Sequence, residues 1–350
     1  MAPTHKPVQD IIQSGVVPKC YIQHEDDYQA ASSNGPPPLM DAPTIDFSLL
    51  SSSSYPHDEL ANLRSALSSW GCVQLVNHGM PPSLLDEVRE MSKQFFKLPL
   101  EEKEKYSSKG DDLLEGYGNT NAVQRGSLNW NDKLHLQVYP EDKRQLQFWP
   151  ENPQQFRTIL HEYSKRNRMI LEMLLKAMAR SLNLEENSFL QFRRDENEDM
   201  AFARFNFYPK CPLSDQVVGL KPHGDGTYIT MLLLDNEVEG LQVNKDNTWF
   251  RVPIIPQALT ILVGDQMEIT SNGIFKSPTH KAVVNPQYDR ISLAMLFKPS
   301  RDKEIGPLDK LIDEERLQLY KRLKDYSQFY SQCIPPLGER PISKVKINNH

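Results

Sequence analysis

The sequence predicts a mainly β core, a sandwich or barrel, set between a helical N-terminal region and a C-terminal helical extension. Three observations carry that reading. Long apolar stripes of helical period precede residue 200, short strand-like segments follow it, and helical spacing returns over 307–333. The regions so drawn are 1–199, mainly helical, 200–305, the β core, and 306–350, the extension.

In the first region, Ser83 opens a stripe of Leu84, Leu85, Val88, Met91, Phe95 and Phe96, and Asp86 gives it a capping-box-like start. Asn152-Pro153 opens a longer helix with Phe156, Ile159, Leu160, Tyr163, Ile170, Met173 and Leu174 on one face. These stripes read as core and carry no chemistry. Residues 31–38 and the serine run 51–54 read as exposed loops, and Ala42-Pro-Thr-Ile-Asp-Phe47 between them as the start of a short strand. In the β core, segments 202–208, 227–234, 241–243, 258–263, 282–284 and 291–298 are rich in Val, Ile, Leu, Thr and Phe. Gly, Pro, Asn and Asp separate them at the spacing of a sandwich or barrel.

Composition narrows the function. Forty basic against 46 acidic residues leave a formal charge of −6, which offers no footing to nucleic acid or an anionic membrane. The four cysteines (Cys20, Cys72, Cys211 and Cys333) are scattered without a C-x-x-C pair, so neither a disulfide framework nor a structural zinc site is expected. No apolar run is long enough to span a bilayer, and the N-terminus has no secretory pattern. The expectation is a cytoplasmic monomer that handles a small molecule.

The chemistry concentrates in the β core. His223-Gly-Asp225 stands just before the apolar strand Ile229 to Leu234, and a second histidine, His280, follows within Ser277-Pro-Thr-His-Lys. Residues i and i+2 of a strand share a face, so His223 and Asp225 can reach one metal ion. Two imidazoles and a carboxylate leave three open positions, the set suited to Fe(II) that must bind an organic co-substrate and O2. Alone, His-x-Asp is a weak pattern that chance supplies often. Its weight comes from Arg290-Ile-Ser292, where an arginine fork and a hydroxyl share a face and form a carboxylate receptor. Arg204-Phe-Asn206-Phe-Tyr208 repeats the alternation, with Tyr208 able to add a third hydrogen bond.

At these residues the sequence resembles the plant 2-oxoglutarate-dependent dioxygenases, over nearly its whole length. The likeness runs through Trp70-Gly-Cys-Val-Gln-Leu-Val-Asn-His-Gly79, Asn206-Phe-Tyr-Pro209, Val238-Glu-Gly-Leu-Gln242, Gly264-Asp265, Ser271-Asn-Gly273, His280 and Arg290-x-Ser292. It is strongest to the branch containing anthocyanidin synthase, flavonol synthase and alkaloid O-demethylases. The resemblance implies a double-stranded β-helix, or jelly roll, with His223, Asp225 and His280 as iron ligands. It further implies Arg290, Ser292 and Tyr208 as 2-oxoglutarate contacts, with Asn206 as their companion. The implied activity is hydroxylation or oxidative demethylation of a flavonoid, alkaloid, terpenoid, phenolic or hormone. O2 and 2-oxoglutarate would be consumed, succinate and CO2 released, and ascorbate would serve as reductant. Gly224 stands where Thr or Ser is commoner, and Phe207 where Tyr is. His78 matches a structural position and is not counted as a ligand. Two other readings stay open: an oxidase of the same fold that does not use 2-oxoglutarate, and a binding protein without turnover.

The substrate side is read from alternation. Residues 128–138 resemble the family strand that covers the substrate, with Lys133 and His135 at positions often aromatic in flavonoid-acting relatives. Leu296 and Lys298 follow Ser292 on its face, and Arg204 shares a face with Asn206. The pocket thus exchanges aromatic surface for Lys133, His135, Arg204 and Lys298. An acidic substrate would give these cations a partner. Alternatively, Lys133 and Lys298 reach water while Arg204 pairs with a protein carboxylate.

Overall fold

The computed structural model describes residues 7–13, 15–23, 35–41, 43–50, 57–107, 115–118, 127–193, 199–333 and 339–347. Residues 31–34, 42 and 51–54, part of the expected loops and strand start, lie outside them. Among the described residues twelve strands make two facing sheets. In chain order they are β1 (Thr44–Asp46), β2 (Cys72–Val76), β3 (Gly116–Gly118), β4 (Asp132–Tyr139), β5 (Met200–Tyr208) and β6 (Leu220–His223). There follow β7 (Ile229–Leu234), β8 (Leu241–Lys245), β9 (Thr248–Arg251), β10 (Leu259–Val263), β11 (His280–Ala282) and β12 (Arg290–Lys298). The larger sheet runs β1-β2-β10-β7-β12-β5-β4-β3 and the smaller β6-β11-β8-β9.

Period-two patterning decides which face of the larger sheet looks where. One face carries Leu134, Leu136, Phe205, Leu293 and Met295, which pack against Leu84, Leu85, Phe95, Phe156, Leu160 and Leu174 of two helices, Pro82–Lys97 and Phe156–Ser181. The opposite face packs Leu232, Leu262 and Ala294 against Leu241 and Val243 of the smaller sheet and Val252 just beyond it. Helices thus cover one side of the large sheet while the small sheet covers the other. This is the expected double-stranded β-helix, with its inner space between the sheets.

The helical stripes expected from sequence form these two helices, but their starts differ from the reading. Ser83 lies inside the first helix, whose N-terminal flank is Pro81-Pro82, and no side chain caps it. Asp86 instead pairs with Arg89. Half of the large sheet (β1 to β4) comes from the N-terminal region, so that region is not helical alone. The segment 307–333 does not form the continuous helix its spacing suggests. It holds a short 3-10 turn (Asp309–Leu311), a two-residue strand (Leu323–Lys324) and one α-helix, Tyr326–Gln332. Asn272 explains the difference: its side-chain amide donates to the Leu311 and Leu317 carbonyls and its oxygen accepts from Leu319 N–H. These bonds hold the chain extended where a helix would consume the same groups. Among the described residues no helix is long and apolar enough to cross a membrane.

Candidate active site

His223 is the last residue of β6 and pairs across the ladder with His280, the first of β11. Antiparallel pairing therefore brings the two imidazoles together, with ring centroids 4.3 Å apart. Asp225 is not on a strand, so the i, i+2 argument explains only half of the motif. It sits in the loop after β6, whose shape is imposed from outside. Asp265 N–H donates to the Asp225 carbonyl at 2.8 Å, the Gln266 amide donates to Gly226 O at 2.9 Å, and the Tyr330 hydroxyl donates to Gly224 O at 2.6 Å. So held, Asp225 Oδ1 lies 3.5 Å from His223 Nε2 and 3.7 Å from His280 Nε2.

The three side chains form the one group of His, Cys, Asp or Glu among the described residues whose ligand atoms, all within 4.8 Å of one another, could hold a metal ion. Each histidine has its Nδ1 against a backbone carbonyl, Lys221 O at 2.8 Å for His223 and Pro278 O at 3.2 Å for His280. Those carbonyls require Nδ1–H, which leaves the Nε2 lone pairs directed at the shared space. Burial, aided by the neighbouring His223 ring, pushes the His280 pKa down to about 4, so its imidazole stays neutral and ligand-competent. For Asp225, burial works to raise the pKa, but the adjoining His280, His223 and Thr230 side chains together outweigh it and hold the carboxyl well below its usual range. Its Oδ2 is buried without a hydrogen-bond partner. Two imidazole nitrogens and a carboxylate with an unused oxygen fit a divalent cation.

Beside this group the register of β5 and β12 sets Arg290 opposite Tyr208, Ser292 opposite Asn206 and Ala294 opposite Arg204. All four expected carboxylate contacts therefore share the inner face, and all four are buried. The Asn206 amide is 3.4 Å from Ser292 Oγ, and the Arg290 guanidinium lies 5.1 Å from the Tyr208 ring centroid. Arg290 donates through Nε to Val238 O at 3.2 Å, but its NH1 is buried with no partner. A buried guanidinium nitrogen without a partner is costly, and a carboxylate-bearing ligand would satisfy it.

The expected substrate-side residues also converge. β4 sets Lys133 opposite Asn206 and His135 opposite Arg204. His135 stacks on Phe202, with centroids 5.1 Å apart and planes 8° from parallel, and Lys298 Nζ lies 5.4 Å from the same ring. Leu296 is opposite Phe202. His78 is elsewhere, its Nε2 2.8 Å from Gln257 O. Sequence reasoning missed Phe202, Tyr330, Arg340 and the role of Gly240. Alternation could have found Phe202, two residues before Arg204. Arg340 belongs to no local pattern, and only the folded chain brings it to Gly224.

Comparison with known proteins points the same way. Residues 42–152 match the family described as non-haem dioxygenase in morphine synthesis, N-terminal, and residues 198–299 match the 2OG-Fe(II) oxygenase superfamily. The chain is 35% identical to Jasmonate-induced oxygenase 4 of Arabidopsis thaliana over 345 residues, covering 97% of this chain and 96% of that protein. It is 36% identical to a flavonol synthase/flavanone 3-hydroxylase of Eustoma exaltatum subsp. russellianum, covering 91% and 94%. The crystal structure of JOX2 in complex with 2OG, Fe and JA superposes with a TM-score of 0.87 at 31% identity, over 98% of both chains.

Proposed function

The chain belongs to the 2OG-Fe(II) oxygenase superfamily, and from that premise we propose that His223, Asp225 and His280 hold its Fe(II), while Arg290, Ser292, Tyr208 and Asn206 receive 2-oxoglutarate. The enzyme is an Fe(II)/2-oxoglutarate-dependent dioxygenase that acts on a small metabolite or hormone. The observation that carries the residue assignment is the pairing of the His223–Asp225–His280 group with the bare buried nitrogen of Arg290 on one inner face.

When bound, iron and 2-oxoglutarate supply the O2 chemistry that yields succinate, CO2 and an oxidised substrate. The protein's own part is position and protection. Lys221 O and Pro278 O hold the tautomers that keep both Nε2 atoms free. Asp225 contributes the single negative charge, and the clamped loop fixes where that charge points. Arg290 and Ser292 offer a charged fork and a hydroxyl to the co-substrate's distal carboxylate. The buried walls of both sheets keep water from the reacting space. Residues 200–305 are proposed as the catalytic core, since every residue assigned to iron or 2-oxoglutarate falls within them. The four free thiols support a reducing, cytoplasmic setting, and we take the working unit to be a monomer that binds neither nucleic acid nor membrane.

His223→Ala, Asp225→Ala and His280→Ala should each abolish turnover and weaken metal binding while leaving the fold largely intact, because a two-point site remains. Succinate release and bound iron per chain are the measurements. Near-wild-type succinate formation by iron-loaded Asp225→Ala would show the triad to be misplaced.

A further inference from the structure

Among the described residues, three cations on the inner face make no ion pair of their own. Lys133 on β4 is only 6% exposed, so it does not reach water as a surface lysine does. Arg204 on β5 donates through Nε to Asn206 Oδ1 at 3.0 Å, a neutral partner rather than a carboxylate. Lys298 on β12 is half-buried over Phe202. None of the three makes an ion pair among the described residues, and the buried Nδ1 of His135 between them has no hydrogen-bond partner. The two alternatives to an acidic ligand, lysines at water and an arginine on a protein carboxylate, are therefore not what this chain does with Lys133 and Arg204.

The sum of charges sharpens the point. The carboxylate that acts on Arg204 is Asp225, which the iron assignment already uses, and Lys298 feels Asp225 together with the more distant Asp325. Fe(II) and Arg290 together carry three positive charges, and Asp225 with the two carboxylates of 2-oxoglutarate carries three negative ones. That set is neutral by itself and leaves no carboxylate for Lys133 and Arg204, while Lys298 keeps only the distant Asp325. Burial, with Arg204 close by, already holds the Lys133 pKa well below its usual value, the mark of a cation with no partner. Phe202, Leu296 and Ala294, with Leu232 beside them on β7, give the wall an apolar stretch next to the polar Thr230 and Gln137.

We propose that Lys133, Arg204 and Lys298 form the anchoring subsite for the carboxylate of the organic substrate, whose apolar body lies along Phe202 and Leu296. This rests on the assignment of iron to His223, Asp225 and His280, because it is that assignment which removes Asp225 as a counter-ion. His135, stacked on Phe202, is a positioning residue that holds the ring between the cations. The subsite selects substrate by charge: an ester or amide of the same skeleton leaves the cations unpaired and binds weakly. Removing one charge-assisted hydrogen bond from such a site lowers affinity roughly tenfold or more.

The test has two arms. In the first, Fe(II)- and 2-oxoglutarate-loaded protein is titrated under argon with alicyclic, aromatic and isoprenoid monocarboxylic acids, each beside its methyl ester. At least one acid should bind at least ~30-fold more tightly than its ester, and Lys133→Met, Arg204→Met and Lys298→Met should each shrink that preference about tenfold or more. In the second arm, the thermal melting of ligand-free Lys133→Met is compared with wild type. Replacing an unpaired buried cation by an apolar side chain of similar length should raise the midpoint. Acids and esters bound alike, an acid preference that survives all three substitutions, or a lowered Lys133→Met midpoint would each overturn the proposal. Failure of the iron assignment is separately visible, as loss of metal-dependent 2-oxoglutarate binding by wild type before any acid is added.

Discussion

Gly240 shows how a single residue serves the site without touching a ligand. A Cβ built there would lie 2.7 Å from Arg290 Cδ and Nε and 2.9 Å from Val283 O. The Val238-Glu-Gly-Leu-Gln242 segment therefore carries glycine because the Arg290 side chain crosses it on the way to Val238 O. Gly240→Ala should displace the guanidinium and raise the 2-oxoglutarate requirement, with turnover at saturation less affected. Arg290→Ala should raise it by roughly tenfold to more than a hundredfold, since a hydrogen bond to a charged group is worth about 1.5–3 kcal/mol and Arg290 can make two. Apparent 2-oxoglutarate constants from succinate release check both, and an unchanged constant in Arg290→Ala would remove it from the carboxylate site. At this scale the sequence was most legible on strands. Arg290, Ser292, Asn206 and Tyr208 could be aligned from period two because β5 and β12 pair without a register shift. Asp225 could not, because a loop held by Asp265, Gln266 and Tyr330 aims it, and no local spacing encodes those contacts.

Elements bring the C-terminal chain onto the metal-bearing loop. Arg340 donates to Ser277 O, to Ser277 Oγ and to the fully buried Asp265, and its guanidinium fills the space where a Gly224 Cβ would stand. The Tyr330 ring lies 2.7 Å from a Cβ built at Gly226. That is a physical reason for glycine where the family resemblance led to an expectation of Thr or Ser: this chain uses the volume for Arg340. Gly224→Thr should cost about 1–3 kcal/mol by overpacking. Arg340→Ala should cost about 3–5 kcal/mol by leaving Asp265 buried without its cation. The double variant should be more stable than the sum of the two losses by about 1 kcal/mol or more, since the alanine vacates the space the threonine needs. Denaturant midpoints check the cycle, and strict additivity would mean that Arg340 and position 224 do not compete. Element prediction succeeded where patterning is strong, as at 202–208, 227–234 and 291–298, each within two residues of the strand found. It missed β6, whose Leu-Lys-Pro-His has no alternation, and β3, which is Gly-Tyr-Gly. β9 went unseen because the β8–β9 hairpin turns on Asp246-Asn247, both at positive φ, without the usual glycine.

The molecule as a whole is a three-layer stack of helices, large sheet and small sheet, and the site occupies the inner space because strands of both sheets contribute to it. β6 and β11 of the small sheet bring the histidines; β4, β5 and β12 of the large sheet bring the co-substrate and substrate walls. The jelly roll was foreseeable from the family resemblance, and so were β1 and β4 of the N-terminal region, whereas β2 and β3 were not, since that region's long apolar stripes dominate its periodicity. The central claim is that one metal site and one arginine fork together receive 2-oxoglutarate. It is tested most directly by equilibrium binding of radiolabelled 2-oxoglutarate under argon, with and without Fe(II), to wild type and to Asp225→Ala. The account predicts about one 2-oxoglutarate per wild-type chain when Fe(II) is present, much weaker binding without it, and no gain from Fe(II) in Asp225→Ala. Equal binding with and without the metal in both proteins would contradict it.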